Sequence, residues 1–509
     1  MSCRHVVIVG AGVGGLSAAA HLARQGMRVT VLEKNKQPGG RLDRIERDGH
    51  RFDTGPTLLV MPRLYEAELA ALGYEMHELL DLVRVDPTYH LVFDDGSKLA
   101  LTADPRAMEE QLEAIEPGSF EGLRRYLAEG RRHYDLGVER LVNRDFRKAT
   151  DFFSLSNLPL LAQVKPLVPH YGHMAEFFDS PRLKAAFTFQ DVYMGLSPFE
   201  APATLSMMPY SELAHGVWFP KGGMYEIVRA LVEVAEGDGA TIECRAPVAR
   251  IDVGDRAARG VVLENGRYIE ADAVIANADL PYVYQHLLPA SREGRRLAGK
   301  RYSCSVVSFF WGVDKQYPDL PPHTLFLADD YRANFDSIVD DLELPANPSL
   351  YVHAPCRLDP SMAPAGHDTI IGIAPVGHLA SDGSQDWRSI RDRARDALLR
   401  KLALVGAADL GDHIKFETSL NPLSWRKRYN LVNGSTHGLC HNLRQLAYLR
   451  PRNRHARYRN LYFVGASTHP GTGIPTTMVC GRHAATRLLD ELAPEQRRAT
   501  ERLTPVVGT

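Results

Sequence analysis

"HVVIVGAGVGGLSAAAHLARQ", His5 to Gln25, decides the fold. His5 to Val9 is a short apolar run, the pattern of a parallel strand buried on both faces. Gly10-Ala11-Gly12-Val13-Gly14-Gly15 follows, then a helical pattern from Leu16 to Gln25. The next strand pattern, "MRVTVLEK", carries an acid, Glu33, near its end. This is GxGxxG in the setting it requires: strand, turn, helix, strand, acid. Gly10 permits the tight turn, Gly12 lets a pyrophosphate approach the backbone, and Gly15 lets the helix pack on the strand. Gly14 belongs to the same turn. The helix N-terminus faces phosphate, and Glu33 is placed to accept from ribose hydroxyls. A carboxylate there repels a 2′-phosphate, so NADP is disfavoured, while NAD and FAD both remain open.

Outward from the fingerprint, "KNKQPGGRLDRIERDGHRFDTGPTLL" places Gly39-Gly40-Arg41 just after the acid, and Phe52-Asp53-Thr54-Gly55-Pro56 beyond it. This segment resembles the extended motif of the flavin-containing amine oxidase and phytoene desaturase superfamily. The resemblance implies FAD. It assigns Gly40 and Arg41 to the ADP half, with the arginine neutralising phosphate charge, and adds Lys34, Gly55 and Pro56 as cofactor contacts. Mid-chain, Ala240 to Asp279 reads as short strands with an Asn265-Gly266 hairpin turn and ends in Asn277-Ala278-Asp279. In the superfamily a valine after such a proline contacts adenine, which implies Val248, and Asn277 is carried over as a further contact. Upstream, Gly222-Gly223 opens an amphipathic helix with Ile227, Leu231 and Val234 on one face.

Near the C-terminus stands "NLYFVGASTHPGTGIPTTMVCGRHAA". Its strand, Leu461 to Val464, suits the parallel sheet, and Gly465 lets the backbone pass close to a cofactor. Gly473, Ile474 and Pro475 start a helix. Proline is accommodated in a first helical turn, where its missing N–H is not needed. The helix start carries roughly half a positive charge, suited to the negative charge that a reduced flavin acquires. "GASTHPGTGIP" resembles the C-terminal signature of bacterial and fungal phytoene desaturases, as does Phe189 to Tyr225, and the likeness spans about residues 5–490.

The resemblance implies an α/β fold. A Rossmann-type FAD-binding domain with a parallel sheet is expected from 1–80, 220–295 and 455–493. A flavin amine oxidase-like α+β substrate domain is inserted at 81–219 and 296–454, and 494–509 is expected to be a flexible tail. The implied activity is desaturation of phytoene or a closely related linear isoprenoid, with hydride transfer to flavin N5. Alternatives are a 3,4-desaturase, a diapophytoene desaturase, an oxygenase or a saturase of the same fold. An amine oxidase and a prenyl-binding, non-catalytic relative are weaker. No Ser/His/Asp arrangement stands out, and Lys221 and His469 are the only polar candidates for a place beside the flavin.

A chain of 509 residues exceeds one compact core. A net charge of −2 gives no reason to expect nucleic acid. Six scattered cysteines lack ligand spacing, so they predict reduced thiols in a cytoplasmic protein and no metal site. No stretch approaches ~20 apolar residues free of charge and glycine. Asp151 to Phe178 is rich in Phe, Leu and Pro, with charge only at Asp151, Lys165 and Glu176. Prolines 159, 166 and 169 forbid one long helix there. The segment reads either as core or as a lid touching a membrane surface. A roughly forty-carbon hydrocarbon gains ~0.8 kcal/mol per carbon on leaving water, on the order of 30 kcal/mol, so such a substrate resides in a bilayer. Oxygen or a quinone is the expected electron acceptor, and homo-oligomerisation stays open.

Overall fold

The structure, a computed structural model, describes residues 4–153 and 157–503. Five parallel strands form the first sheet, in the order Leu461–Phe463, Ala273–Ala276, His5–Val9, Arg28–Leu32, Thr241–Glu243. The apolar run at the N-terminus has no polar face because both faces are covered. Val6 and Ile8 pack into a core shared with helices Val13–Arg24, Glu226–Gly237 and Ile474–Leu503. Val7 and Val9 point the other way, into a core built with the antiparallel meander Val248–Gly254, Ala257–Leu263 and Tyr268–Glu270. The Asn265-Gly266 turn closes the last hairpin through Gly266 N–H to Leu263 O at 3.0 Å.

Seven strands make the second sheet, all drawn from Tyr89–Leu101 and Ser305–Leu420. Its strand Ser305–Val313, second from one edge, alternates in the same way. Val307, Phe309 and Trp311 pack with helix Trp387–Leu402. Phe310 packs against Phe52 and Trp425, so the second sheet leans on the small hairpin Arg44–Arg47 with His50–Asp53. A two-stranded ribbon, Leu82–Val85 with Val217–Pro220, links the two units.

The proline-rich segment is broken into helices Ala149–Phe152, Leu158–Val164 and His170–His173, with Lys165 at φ 45° between the last two. Ser154 to Ser156 lie outside the described residues. The C-terminal helix runs on to Leu503, into the stretch expected to be a flexible tail, while 504–509 lie outside the described residues. The five described cysteines are free. No helix among the described residues is long and apolar enough to cross a membrane.

Candidate active site

The glycine turn is held from both sides. Gly10 has φ 100°, and a Cβ there would stand 2.9 Å from the Asn277 carbonyl. The Asn277 side chain donates from Nδ2 to Gly10 O (3.0 Å) and Gly12 O (3.2 Å). Helix Val13–Arg24 begins at Gly12 with no side-chain cap, so its first N–H groups are left for a ligand. Glu33, which is buried, accepts from Ala11 N–H (3.0 Å) and Asn35 N–H (2.8 Å). Its carboxylate therefore braces the turn it also borders.

These groups border one cavity of about 1110 Å³, larger than a single small-ligand site usually is. Gly10, Gly12, Gly14, Glu33, Lys34, Gly40 and Arg41 line it, as do Gly55, Pro56, Val248 and Asn277. Gly465, Gly473, Ile474 and Pro475 close it from the C-terminal end of the chain. Gly15 does not face the cavity. A Cβ there would meet Gly10 O at 2.3 Å, so it packs the helix under the turn.

Arg41 lines the cavity with one hydrogen bond, Nη1 to Thr436 O at 2.7 Å, and no ion pair among the described residues. Burial pulls its pKa down, and Asp279 only partly offsets that. A half-buried guanidinium without an anion beside uncapped helix amides fits a pyrophosphate. Glu33 fits ribose hydroxyls at the same end. The residues present therefore fit the ADP half of FAD. The sheet-to-loop return at 430–441, which the sequence reading placed in the inserted unit, also reaches this end. Lys34 Nζ donates to Asn430 Oδ1 (2.7 Å), and His437 lines the cavity near Arg41 with its pKa lowered by burial to about 4.

The expectation for Lys221 is corrected. Its ammonium is exposed at the end of strand Val217–Pro220, ion-paired with Asp81 at 2.8 Å, and does not line the cavity. His469 does line it. Its Nε2 donates to Arg144 O at 2.8 Å, and burial holds its pKa near about 4, so the ring is neutral.

The far half of the cavity comes from the inserted unit: Phe189, Tyr193, Leu325, Leu327, Phe335 and Leu350 are part of its wall. The lining carboxylates are Glu33, Glu264 and Asp279, all from the dinucleotide unit, so the inserted unit contributes none among the described residues. Sequence reasoning missed Tyr89, Tyr351 and Glu212 in and behind this wall. Their segments carry no common motif. One signal was available for Glu212: an acid four residues after Met208, on the apolar face of a helical pattern.

A dinucleotide cradle opening into an apolar chamber defines a flavoprotein oxidoreductase, with FAD as its cofactor. The chain belongs to the flavin containing amine oxidoreductase family, whose pattern matches residues 13–489. A zeta-carotene-forming phytoene desaturase of Myxococcus xanthus is 41% identical over 488 residues, 96% of this chain and 94% of that one. A phytoene desaturase of Phycomyces blakesleeanus is 39% identical over 507 residues, 97% and 86% of the two chains. Among solved structures, a putrescine oxidase triple mutant superposes with a TM-score of 0.63 over 96% of this chain and 99% of that one. At 15% identity that likeness concerns the fold alone.

Proposed function

We propose that the protein is a carotene desaturase that introduces double bonds into phytoene or a closely related linear isoprenoid. The observation that carries this reading is the chamber wall: large, apolar, continuous with the cofactor cradle, and without a carboxylate from the inserted unit. A cationic amine buried there would lack a counter-ion, at a cost of several kcal/mol. A hydrocarbon needs none. Bound FAD supplies a two-electron acceptor, so that hydrogen lost across a saturated C–C unit leaves as a hydride and a proton and a conjugated product remains. The chain's part is positioning, exclusion of water and placement of charge. Glu33 and Arg41 would hold the ADP half, and the helix start at Gly473–Pro475 would supply positive charge to the flavin end.

Substrate enters from a membrane surface. Phe153 (60% exposed), Leu167 (76%), Leu443 (43%) and Leu449 (45%) all line the cavity and also stand in solvent. They come from two separate segments and form an apolar rim at its mouth. Exposed apolar side chains gathered at one opening mark a docking site for a membrane or apolar partner. A bilayer supplies both the docking phase and the substrate. Reduced enzyme passes electrons to oxygen or a quinone.

The test is anaerobic mixing of FAD-loaded protein with liposomes that carry phytoene. The flavin should bleach while longer-wavelength carotene bands appear. Bleaching by a diamine but not by any linear carotene would replace this reading with amine oxidation.

A further inference from the structure

A group of hydroxyls interrupts the apolar chamber wall, with one acid behind it. Tyr89, from strand Tyr89–Phe93, and Tyr193, from the turn Phe189–Met194, both line the cavity, and their hydroxyls hydrogen-bond each other. Behind them lies Glu212, from helix Met207–His215, only 3% exposed. Its Oε2 accepts from Gln190 Nε2 at 3.0 Å, and its Oε1 has no hydrogen-bond partner. Tyr351 faces Tyr89 with ring centroids 6.5 Å apart, and its hydroxyl bonds Thr57 Oγ1 (2.6 Å) and His323 Nδ1 (2.7 Å). Thr57 directly follows Gly55 and Pro56 on the cofactor loop. On the other side Met194, next to Tyr193, touches His441, whose Nε2 accepts from Thr472 N–H at 3.0 Å. The group therefore stands between the cofactor loop and the helix start at Gly473–Pro475.

No lysine or arginine pairs with Glu212 among the described residues. The titratable groups near it are Tyr89, Tyr126, Tyr193 and, on its own helix, Tyr210 and His215. A buried acid with one free oxygen and no cation is costly as a structural element. Glutamine or methionine would fill the space without that cost. Removal of hydrogen across a C–C bond, by contrast, needs somewhere for a proton to go.

We propose that Tyr193, with Tyr89, passes the proton released from the substrate carbon to Glu212. This rests on the desaturase reading. The C–H electron pair becomes the new π bond, and the proton bonds to the Tyr193 oxygen. The Tyr193 hydroxyl proton moves in turn to Glu212 Oε1. The hydride from the neighbouring carbon goes to the FAD of the proposed reaction, so electrons balance. Tyr193 touches substrate. Glu212 acts through it and stores the proton.

Burial pushes Glu212 up to about 8, against the opposing pull of Gln190 and Tyr193. Below that value the ionised acceptor form grows about tenfold per pH unit. The rate of anaerobic flavin bleaching by carotene-loaded liposomes should therefore rise with pH and level off above about pH 8. Glu212→Gln keeps size and the Gln190 contact. It should keep bound FAD and KM, lose the pH slope, and fall about a hundredfold at high pH. Tyr193→Phe should lose the same slope, and Glu212→Asp should restore it in part. Infrared difference spectra of wild type against Glu212→Gln give a readout without turnover: a protonated carboxyl band that disappears with a midpoint near pH 8. A Glu212→Gln variant with wild-type slope and rate overturns the relay, and so does the absence of that band. If no carotene bleaches the wild type, the desaturase reading itself fails and the relay falls with it, an outcome distinct from a variant-specific result.

Discussion

Gly473 shows how narrow the chemical choice is at single positions near the cofactor. Its φ is 109°, a region closed to most L side chains, and a Cβ there would stand 2.9 Å from Thr476 Oγ1. Alanine is thus no neutral control for a charge test, because it brings the same backbone strain as any other side chain. Asparagine and aspartate share shape and tolerate positive φ best. If the helix start faces the isoalloxazine, as proposed, Gly473→Asp places a carboxylate where flavin reduction would deposit negative charge. At an effective dielectric constant near 20 the repulsion is about 2 kcal/mol. A two-electron couple moves about 30 mV per ~1.4 kcal/mol, so the midpoint should fall by roughly 40 mV relative to Gly473→Asn. Spectroelectrochemical titration of the two variants measures this directly. Equal midpoints in two flavin-loaded proteins would mean that this helix start does not face the ring. Glu33 teaches the complementary lesson. Its place at the end of the second strand was legible from spacing, because the fingerprint fixes where the acid falls. Its two hydrogen bonds to Ala11 and Asn35 were not, since they depend on the path of the loop after it.

At the scale of elements, the broken segment Ala149–His173 shows why an apolar run is ambiguous in sequence. The prolines forbid one helix, and that much was legible. Composition could not separate core from lid, because buried and exposed apolar side chains alternate within the same segment. Phe152 packs against Phe146 and stacks over Tyr448, and Val164 is buried, while Phe153 and Leu167 stand in solvent. The other half of the rim, Leu443 to Leu449, lies almost three hundred residues away by sequence and has no distinctive composition. The arrangement also dictates which residues to charge. Acids at Phe152 would disrupt packing. Phe153 touches Phe152 and Tyr448 only edge-on, and it and Leu167 are mostly exposed, so acids there stay largely in water in the free protein. Burying either side chain fully is worth about 1.5–3 kcal/mol, so Phe153→Glu with Leu167→Glu should lower liposome affinity at least tenfold. FAD absorbance and the thermal midpoint should stay at wild-type values. Flotation on neutral liposomes is the measurement, and undiminished flotation would remove the rim from the docking surface.

Across the whole molecule, the cofactor cradle is assembled from chain ends more than 450 residues apart, and one seam aligns them. Helix Ile474–Leu503 lies flush on helix Val13–Arg24. Ser17 Oγ donates to Met478 O at 2.9 Å, and a Cβ on Gly481 would stand 2.6 Å from Gly14 O and 2.8 Å from Ala18 N. On the far side of the same turn, a Cβ on Gly14 would strike Val464 Cγ1 at 2.4 Å. The backbones approach this closely only because both helices present glycine. The fingerprint announced the N-terminal glycines, whereas Gly481 belongs to no motif and its role depends on which helix it meets. Residue 481 does not line the cavity, yet the seam sets where Gly465 to Pro475 stand relative to Gly10 to Gly14. Gly481→Val should therefore act on cofactor binding at a distance. Prising the helices apart costs about 1–3 kcal/mol of stability, as overpacking does. Part of that cost should appear as weaker FAD affinity, because the two halves of the cradle no longer close on the cofactor together. Excess FAD should then recover part of the lost thermal stability by mass action. Flavin absorbance after gel filtration and thermal unfolding at graded FAD concentrations measure both effects. A Gly481→Val protein that is less stable but binds FAD as tightly as wild type would show that the loops around the cofactor, rather than the helix seam, hold the two ends of the chain in register.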